Sequence, residues 1–219
     1  MTASHDAVWA ALSGVVDPEL DRPVTELGFV KSVRVDPAVV VELRLPTYFC
    51  APNFAWLMVA DARDALAALP GVTDPRVLLL DHFAADEINA AGSFSTAFAA
   101  DGLDPDLTEL RRIFERKAHV AAQERLARQV APQLSDPAAL VALTLAEAAR
   151  LAPAAAAGVA RRRARLGLVT DLALCDGSGA PLAPDALPVW LRFARTVRVS
   201  IDGNASLCRG LLRTRYQSR

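Results

Sequence analysis

Apolar positions along this chain recur with two different periods, and the change from one to the other locates its elements. From Ser4 to Val15, the residues Val8, Trp9, Leu12 and Val15 fall at helical spacing with Asp6 in the first turn, which predicts a short amphipathic helix. Val16-Asp17-Pro18-Glu19-Leu20 follows, where proline forces the preceding residue into extended geometry and stops the helix. A loop carrying two carboxylates runs on to Leu27-Gly28. Phe29 to Val35 and Val39 to Leu45 then alternate with period two; Val39, Val41, Leu43 and Leu45 share one face, and Glu42 and Arg44 the other. With Asp36-Pro37 as the turn, this predicts a β-hairpin with one buried face. Helical spacing returns at Phe54, Leu57, Met58, Ala65, Leu66 and Leu69, with Pro52 suited to the first turn and Pro70-Gly71 to the end. Arg76 to Leu80 is a nearly continuous apolar run, expected as the interior strand. The order αββαβ within about 80 residues predicts a small two-layer sandwich, helices on one face of a three-stranded sheet.

Beyond it the signals favour helix. Phe83 to Gly102 is alanine-rich and low in charge and reads as a linker or packed arm, anchored by Phe94 and Phe98. Asp104-Pro105 marks a helix start, and Leu107, Leu110, Phe114, Ala118 and Ala121 form its apolar stripe, running to about Val130. Ser135-Asp136-Pro137 is expected to cap a second helix to about Leu151, and Pro153 to open a third that ends at Gly167. In the tail, Leu168–Leu174 and Thr196–Ile201 look like strands, Asp176-Gly177 and Asp202-Gly203 like turns, and Asn204 like the cap of a last helix through Tyr216. Trp190 and Phe193 are expected in the core. The fold class is therefore α+β: an αββαβ sandwich over residues 1–83 and a mostly helical extension with a few short strands over 84–219.

Composition narrows the classes of function. The 219 residues are 53% apolar, enough for a sizeable core. There is no run of about 18 uncharged apolar residues, and the N-terminus lacks the basic and apolar regions of a signal peptide, so a soluble cytoplasmic protein without membrane partners is expected. Net charge is -1 but unevenly spread: residues 1–83 carry -5, 84–149 carry -4 and 150–219 carry +8. Such asymmetry suits a nucleic-acid or acidic-partner surface, or a basic tail packed on the acidic front of the same chain. As 22 of the 24 basic residues are arginine, compositional bias explains it better than a phosphate site, and nucleic-acid binding is the weaker reading.

Three cysteines, Cys50, Cys175 and Cys208, stand far apart with no CxxC, which argues against a disulfide framework and rules out a four-cysteine site within one chain. Cys50 is the best chemical candidate. It sits where a strand ends and a helix begins, and the unpaired N–H groups and positive dipole end of a helix N-terminus favour thiolate, the form that binds metal or attacks. The alternative is that it is a small buried hydrophobe, as free cysteines often are.

Read together, Asp17-Pro18-Glu19, Leu27-Gly28, the hairpin, Pro46-Thr47-Tyr48 with Cys50, and Leu69-Pro70-Gly71-Val72 resemble the iron–sulfur cluster assembly domain of the SufT-type and PaaD-type proteins. The resemblance covers a little over a third of the chain. It implies an αββαβ protein that assists metalloprotein maturation, with Cys50 as the functional thiol and transient metal site. Asp17, Glu19, Thr47, Tyr48 and Asn53 are then the supporting loop residues. One departure stands out: the family loop commonly places proline directly after the cysteine, whereas Cys50-Ala51-Pro52 inserts an alanine. One thiolate is too few to hold a cluster, which normally takes four protein ligands, so ligation is transient or shared with a second chain of a homodimer, a partner protein, or the Asp17 and Glu19 carboxylates. Cys208, Cys175 and His82 are further candidate ligands, Cys208 and Cys175 alternatively being core residues.

Other motifs are weaker. Glu115 and His119 lie at i, i+4 and suit a metal, or simply a solvated face. A Cys50–His82 nucleophilic pair lacks an orienting third group. Gly177-Ser178-Gly179 is a turn, Asn204-Ala205-Ser206 an accidental sequon, and the Arg161–Arg165 cluster a solvated or partner-facing helix end. The expectation is a non-enzymatic maturation factor that binds iron or a cluster only transiently, with no tightly bound cofactor. Its extension would select a client apo-metalloenzyme, for which an iron-dependent oxygenase is one possibility. The alternative is a pure interaction protein that chaperones an apo-enzyme without handling metal.

Overall fold

Ser4 opens the chain's first element by accepting a hydrogen bond from the Ala7 amide at 3.1 Å, and helix α1, His5–Leu12, buries Val8 and Leu12 beneath it. The computed structural model describes residues 3–98, 107–134 and 136–217. After α1, β1 (Val16–Asp17) and β2 (Arg22–Pro23) form a two-residue antiparallel clip around the Asp17-Pro18-Glu19 turn. The predicted hairpin is present as β3 (Val30–Arg34) and β4 (Val40–Arg44), paired antiparallel, with Val39, Val41, Leu43 and Leu45 all buried as the alternation required. Helix α2, Pro52–Ala67, begins with its proline at the first turn and buries Leu57, Met58 and Leu66; each such side chain stabilises the fold by about 1.5–3 kcal/mol. Helix α1 packs on α2 and β3, and α2 on β5 (Arg76–Leu80).

Sheet order is β3-β4-β5, with β5 parallel to β4. The interior strand is thus β4, not Arg76–Leu80. The apolar run of β5 has another cause: the segment expected as a linker folds over its free edge as α3 (Ala85–Ala90), with α4 (Phe94–Phe98) packed on α3. The Asn89 side chain bonds the Leu79 backbone in both directions, accepting from its N–H at 2.8 Å and donating to its C=O at 2.9 Å, as a neighbouring strand would. Arg63 donates to the Asn89 and Ala91 carbonyls at 3.1 and 3.2 Å, and Phe94 meets Trp56 edge-on at 6.0 Å.

The chain divides into two compact units, Met1–Glu109 with Gly203–Arg219, and Leu110–Asp202. The second unit contains most of α5 (Thr108–Val130), two 3-10 turns, α6 (Leu145–Leu151), α7 (Pro153–Leu166) and the start of α8 (Leu187–Gln217). The expected starts at Asp104-Pro105 and Ser135 lie outside the described residues. Helix α6 is opened instead by a Thr144–Glu147 capping box, while Gly167, at φ 65, ends α7 as anticipated. Leu168–Leu174 is not a strand; it contributes only an isolated bridge from Leu172 to Thr144. Thr196–Ile201, Asp202-Gly203 and Asn204 are neither strand, turn nor cap, because α8 runs through all of them. Ion pairs hold it there: Arg198 bonds Glu124 and Asp202, and Asp202 meets Arg125 at 2.7 Å. Trp190 packs partly buried beside Leu182 and Leu187, but Phe193, expected in the core, is 59% exposed.

Two expectations about charge also change. Arg163 is buried, donating to the carbonyls of Thr170, Leu172 and Ala173, so the Arg161–Arg165 cluster is not uniformly a solvated end. His119 is buried as well, with Gln123 beside its Nδ1 at 3.4 Å, and does not lie on a solvated face. Cys175 is 1% exposed, its amide donating to Gln123 and its thiol meeting Arg163 at 3.6 Å; burial pushes that thiol's pKa up.

Candidate functional site

The buried end of β4 at Leu45 and Pro46 delivers the chain into a loop whose next residues turn outward: Tyr48 and Phe49 are exposed and Cys50 is half-buried. Helix α2 starts immediately afterwards, with Ala51 at its cap position and no side-chain cap; Asn53 accepts from the Phe54 amide at 2.9 Å. The thiol therefore stands at a helix entrance whose N–H groups no residue 51 side chain covers. Thr47 Oγ1 lies 3.3 Å from Cys50 Sγ, so two of the loop residues singled out in the sequence touch.

His82 comes to the same loop from the end of β5, but to the backbone. Its Nε2 is 2.7 Å from the Cys50 carbonyl, and its Nδ1 accepts from the Ala84 amide at 3.2 Å. Because Nδ1 is an acceptor, the proton sits on Nε2 and is donated to Cys50 O: a neutral ring with both nitrogens engaged. Burial lowers its pKa, the Cys50 hydrogen bond opposes that, and Arg215 adds to the lowering. In this arrangement His82 clamps the thiol loop instead of pairing with Sγ.

Asp17 has a comparable structural duty. Buried, it accepts from the Glu19 and Leu20 amides at 2.9 and 2.8 Å and so closes the Asp17-Pro18-Glu19 turn. Loss of hydration raises its pKa to about 6 in spite of those two donors.

Cys208, one of the further candidate ligands, is the other thiol near this loop. It is half-buried on α8, one turn before the buried Leu212 and two before Arg215, which donates to the carbonyls of Leu45 at 3.1 Å and Asp81 at 2.6 Å on either side of the Cys50 loop. Burial first, then the electrostatic influence of Asp17, Cys50 and Glu19, pushes the Cys208 thiol up to about 11. Cys50, Asp17, Glu19 and Cys208 thus share one neighbourhood, although among the described residues no group of three His, Cys, Asp or Glu side chains is placed to hold a metal ion.

Of the aromatics around the thiol, sequence reasoning singled out Tyr48 and missed Phe49 and Phe83. Phe49 is 77% exposed, Tyr48 47% and Phe83 45%. Tyr48 and Phe49 meet edge-on at 5.0 Å, Phe83 lies 6.0 Å from Phe49, and the Phe83 amide donates to Tyr48 O. Their signal was present: two adjacent aromatics in a loop that fits neither helical nor strand period. The role of Arg215 had no such signal, its partners being 170 and 134 residues away in sequence.

Residues 5–79 match the family model described as iron-sulfur cluster assembly protein. Over 75 residues the chain is 43% identical to iron-sulfur cluster carrier proteins of Mycobacterium bovis and Mycobacterium tuberculosis, and over 37 residues it is 51% identical to that of Mycobacterium leprae. The 75-residue matches take in 33% of this chain and 19% of those relatives, and the shorter one 17% and 10%. No solved structure matches. Residues 5–79 are accordingly similar to an iron–sulfur cluster assembly domain, in line with the resemblance. Among the described residues no helix is long and apolar enough to cross a membrane.

Proposed function

We propose that this protein is a metalloprotein maturation factor, non-catalytic, that passes iron or an iron–sulfur cluster to a client apo-metalloenzyme through Cys50. The observation that carries this reading is the position of Cys50 within a matched assembly-domain segment: half-buried at an uncapped helix entrance, held from behind by His82 and fronted by exposed aromatics. The donor set suits cargo held in passing. With Cys50 and Cys208 as the thiols nearby, and no three-donor group among the described residues, remaining ligands come from the client, a partner or a second copy of the chain. Residues 84–219 then select the client.

The test is transfer. Purified protein is loaded with ferric iron and sulfide in the presence of dithiothreitol under oxygen-free conditions, and delivery to an apo-ferredoxin is followed by visible absorbance and circular dichroism. Cys50→Ala should abolish delivery while the far-ultraviolet spectrum and melting temperature stay those of the parent. Undiminished delivery would remove the cysteine from the mechanism.

A second reading keeps support from the aromatic surface. Tyr48, Phe49 and Phe83 fit a role in holding an apo-enzyme, such as an iron-dependent oxygenase, without handling metal. It requires that Cys50→Ala still activates the client and that Phe49→Ser does not.

A further inference from the structure

A cavity of about 230 Å³ lies in the first unit where the last turns of α8 cross the Leu27-Gly28 loop and the end of β4. Gly28 permits that approach: its φ is +76, and a Cβ there would lie 3.2 Å from Leu212 Cδ2. Arg209, Arg213 and Tyr216 fall at i, i+4 and i+7, so one stripe of the helix lines the cavity. Arg44 enters from β4 with its guanidinium stacked over the Tyr216 ring, 4.4 Å from its centroid.

The charge is unbalanced. Arg44, Arg209 and Arg213 have no carboxylate partner among the described residues, and Arg44 Nε is buried with no hydrogen-bond acceptor. Glu26 also lines the cavity, but it is 59% exposed and lies 3.9 Å from Arg22. A buried guanidinium N–H left unpaired is costly, and natural structures satisfy such donors with water or an anion. Three guanidinium groups around one cavity outnumber the carboxylates beside it, Glu26 on its lining and Asp81, whose charge reaches Tyr216. They match a dianion with several acceptor oxygens, and Leu27, Leu212 and Tyr216 supply apolar walls for whatever bears it.

We infer that this arginine-lined cavity binds a phosphate group, either as free phosphate or as the monoester end of a small molecule. Cys50 is not among its lining residues, so the site is tested independently of cluster transfer.

Calorimetric titration of the full chain at low ionic strength with inorganic phosphate, adenosine monophosphate and acetate tests it. Phosphate should bind and acetate should not. Adenosine monophosphate binding tighter than phosphate assigns the monoester source, and equal or weaker binding assigns free phosphate. Arg209→Gln and Arg213→Gln, both exposed positions, should each weaken phosphate binding about tenfold, with unchanged melting temperature in phosphate-free buffer. Cys50→Ala should bind phosphate as the parent does. Phosphate binding no tighter than acetate, or unaffected by both arginine variants, would overturn the inference.

Discussion

His82→Ala removes a neutral ring that ties two backbone groups together, and its cost can be worked out from the geometry. The substitution deletes the 2.7 Å bond to the Cys50 carbonyl and the 3.2 Å bond from the Ala84 amide. Each intramolecular hydrogen bond contributes about 1 kcal/mol net, and a buried group left without a partner costs about 1–3 kcal/mol more. The Cys50 carbonyl belongs to a half-buried residue that water can reach, whereas the Ala84 amide belongs to a buried one. A loss of about 2–3 kcal/mol follows, with a Cys50 loop that samples open conformations more often. Urea unfolding followed by circular dichroism reads the first effect, and the rate of iodoacetamide labelling at Cys50, resolved by peptide mass spectrometry, reads the second. His82→Gln, whose amide still has a donor for the carbonyl, should recover part of both. The pH dependence is a built-in check. Burial lowers the folded-state pKa of His82, so its stabilisation is fully present above the ordinary histidine value of 6.5 and fades as pH falls and Nδ1 must take a proton. The gap between parent and His82→Ala should therefore narrow on acidification. An unchanged unfolding midpoint together with an unchanged labelling rate would refute the clamp.

Gly28→Ala should lower stability by about 1–3 kcal/mol, because it combines a left-handed backbone at φ +76 with a Cβ 3.2 Å from Leu212; a melting temperature equal to the parent's would show that the helix gives way freely. Acid should weaken the second unit through His119, whose pKa falls to about 4 by burial first and by the Arg163 and Arg162 charges after it. Its contribution is complete above 6.5 and lost progressively as pH drops towards 4, up to about 3 kcal/mol. His119→Gln should flatten the stability profile over that window in urea titrations at stepped pH.

Much of the first 80 residues was legible because the information there is local. Period-two alternation buried Val39, Val41, Leu43 and Leu45, Pro52 started α2, and Ser4 capped α1, each within a few residues of its partners. The motif order that resembled an assembly domain drew on the same short-range features. The tail was misread for the complementary reason. Asp202, Gly203 and Asn204 carry turn and cap preferences worth about 1 kcal/mol each, and those were outweighed by partners far away in sequence, Glu124 on Arg198 and Arg125 on Asp202, 74 and 77 residues distant. In the same way Asn89 takes the place of a strand beside Leu79, Arg163 is drawn inside by three carbonyls, and Arg215 reaches Leu45 and Asp81. The sequence by itself determined the elements of the first 80 residues, the candidate thiol and its loop. Tertiary structure decided what surrounds that thiol: a histidine on its carbonyl, aromatics before it and a second cysteine nearby. No periodicity reports contacts made across that many residues.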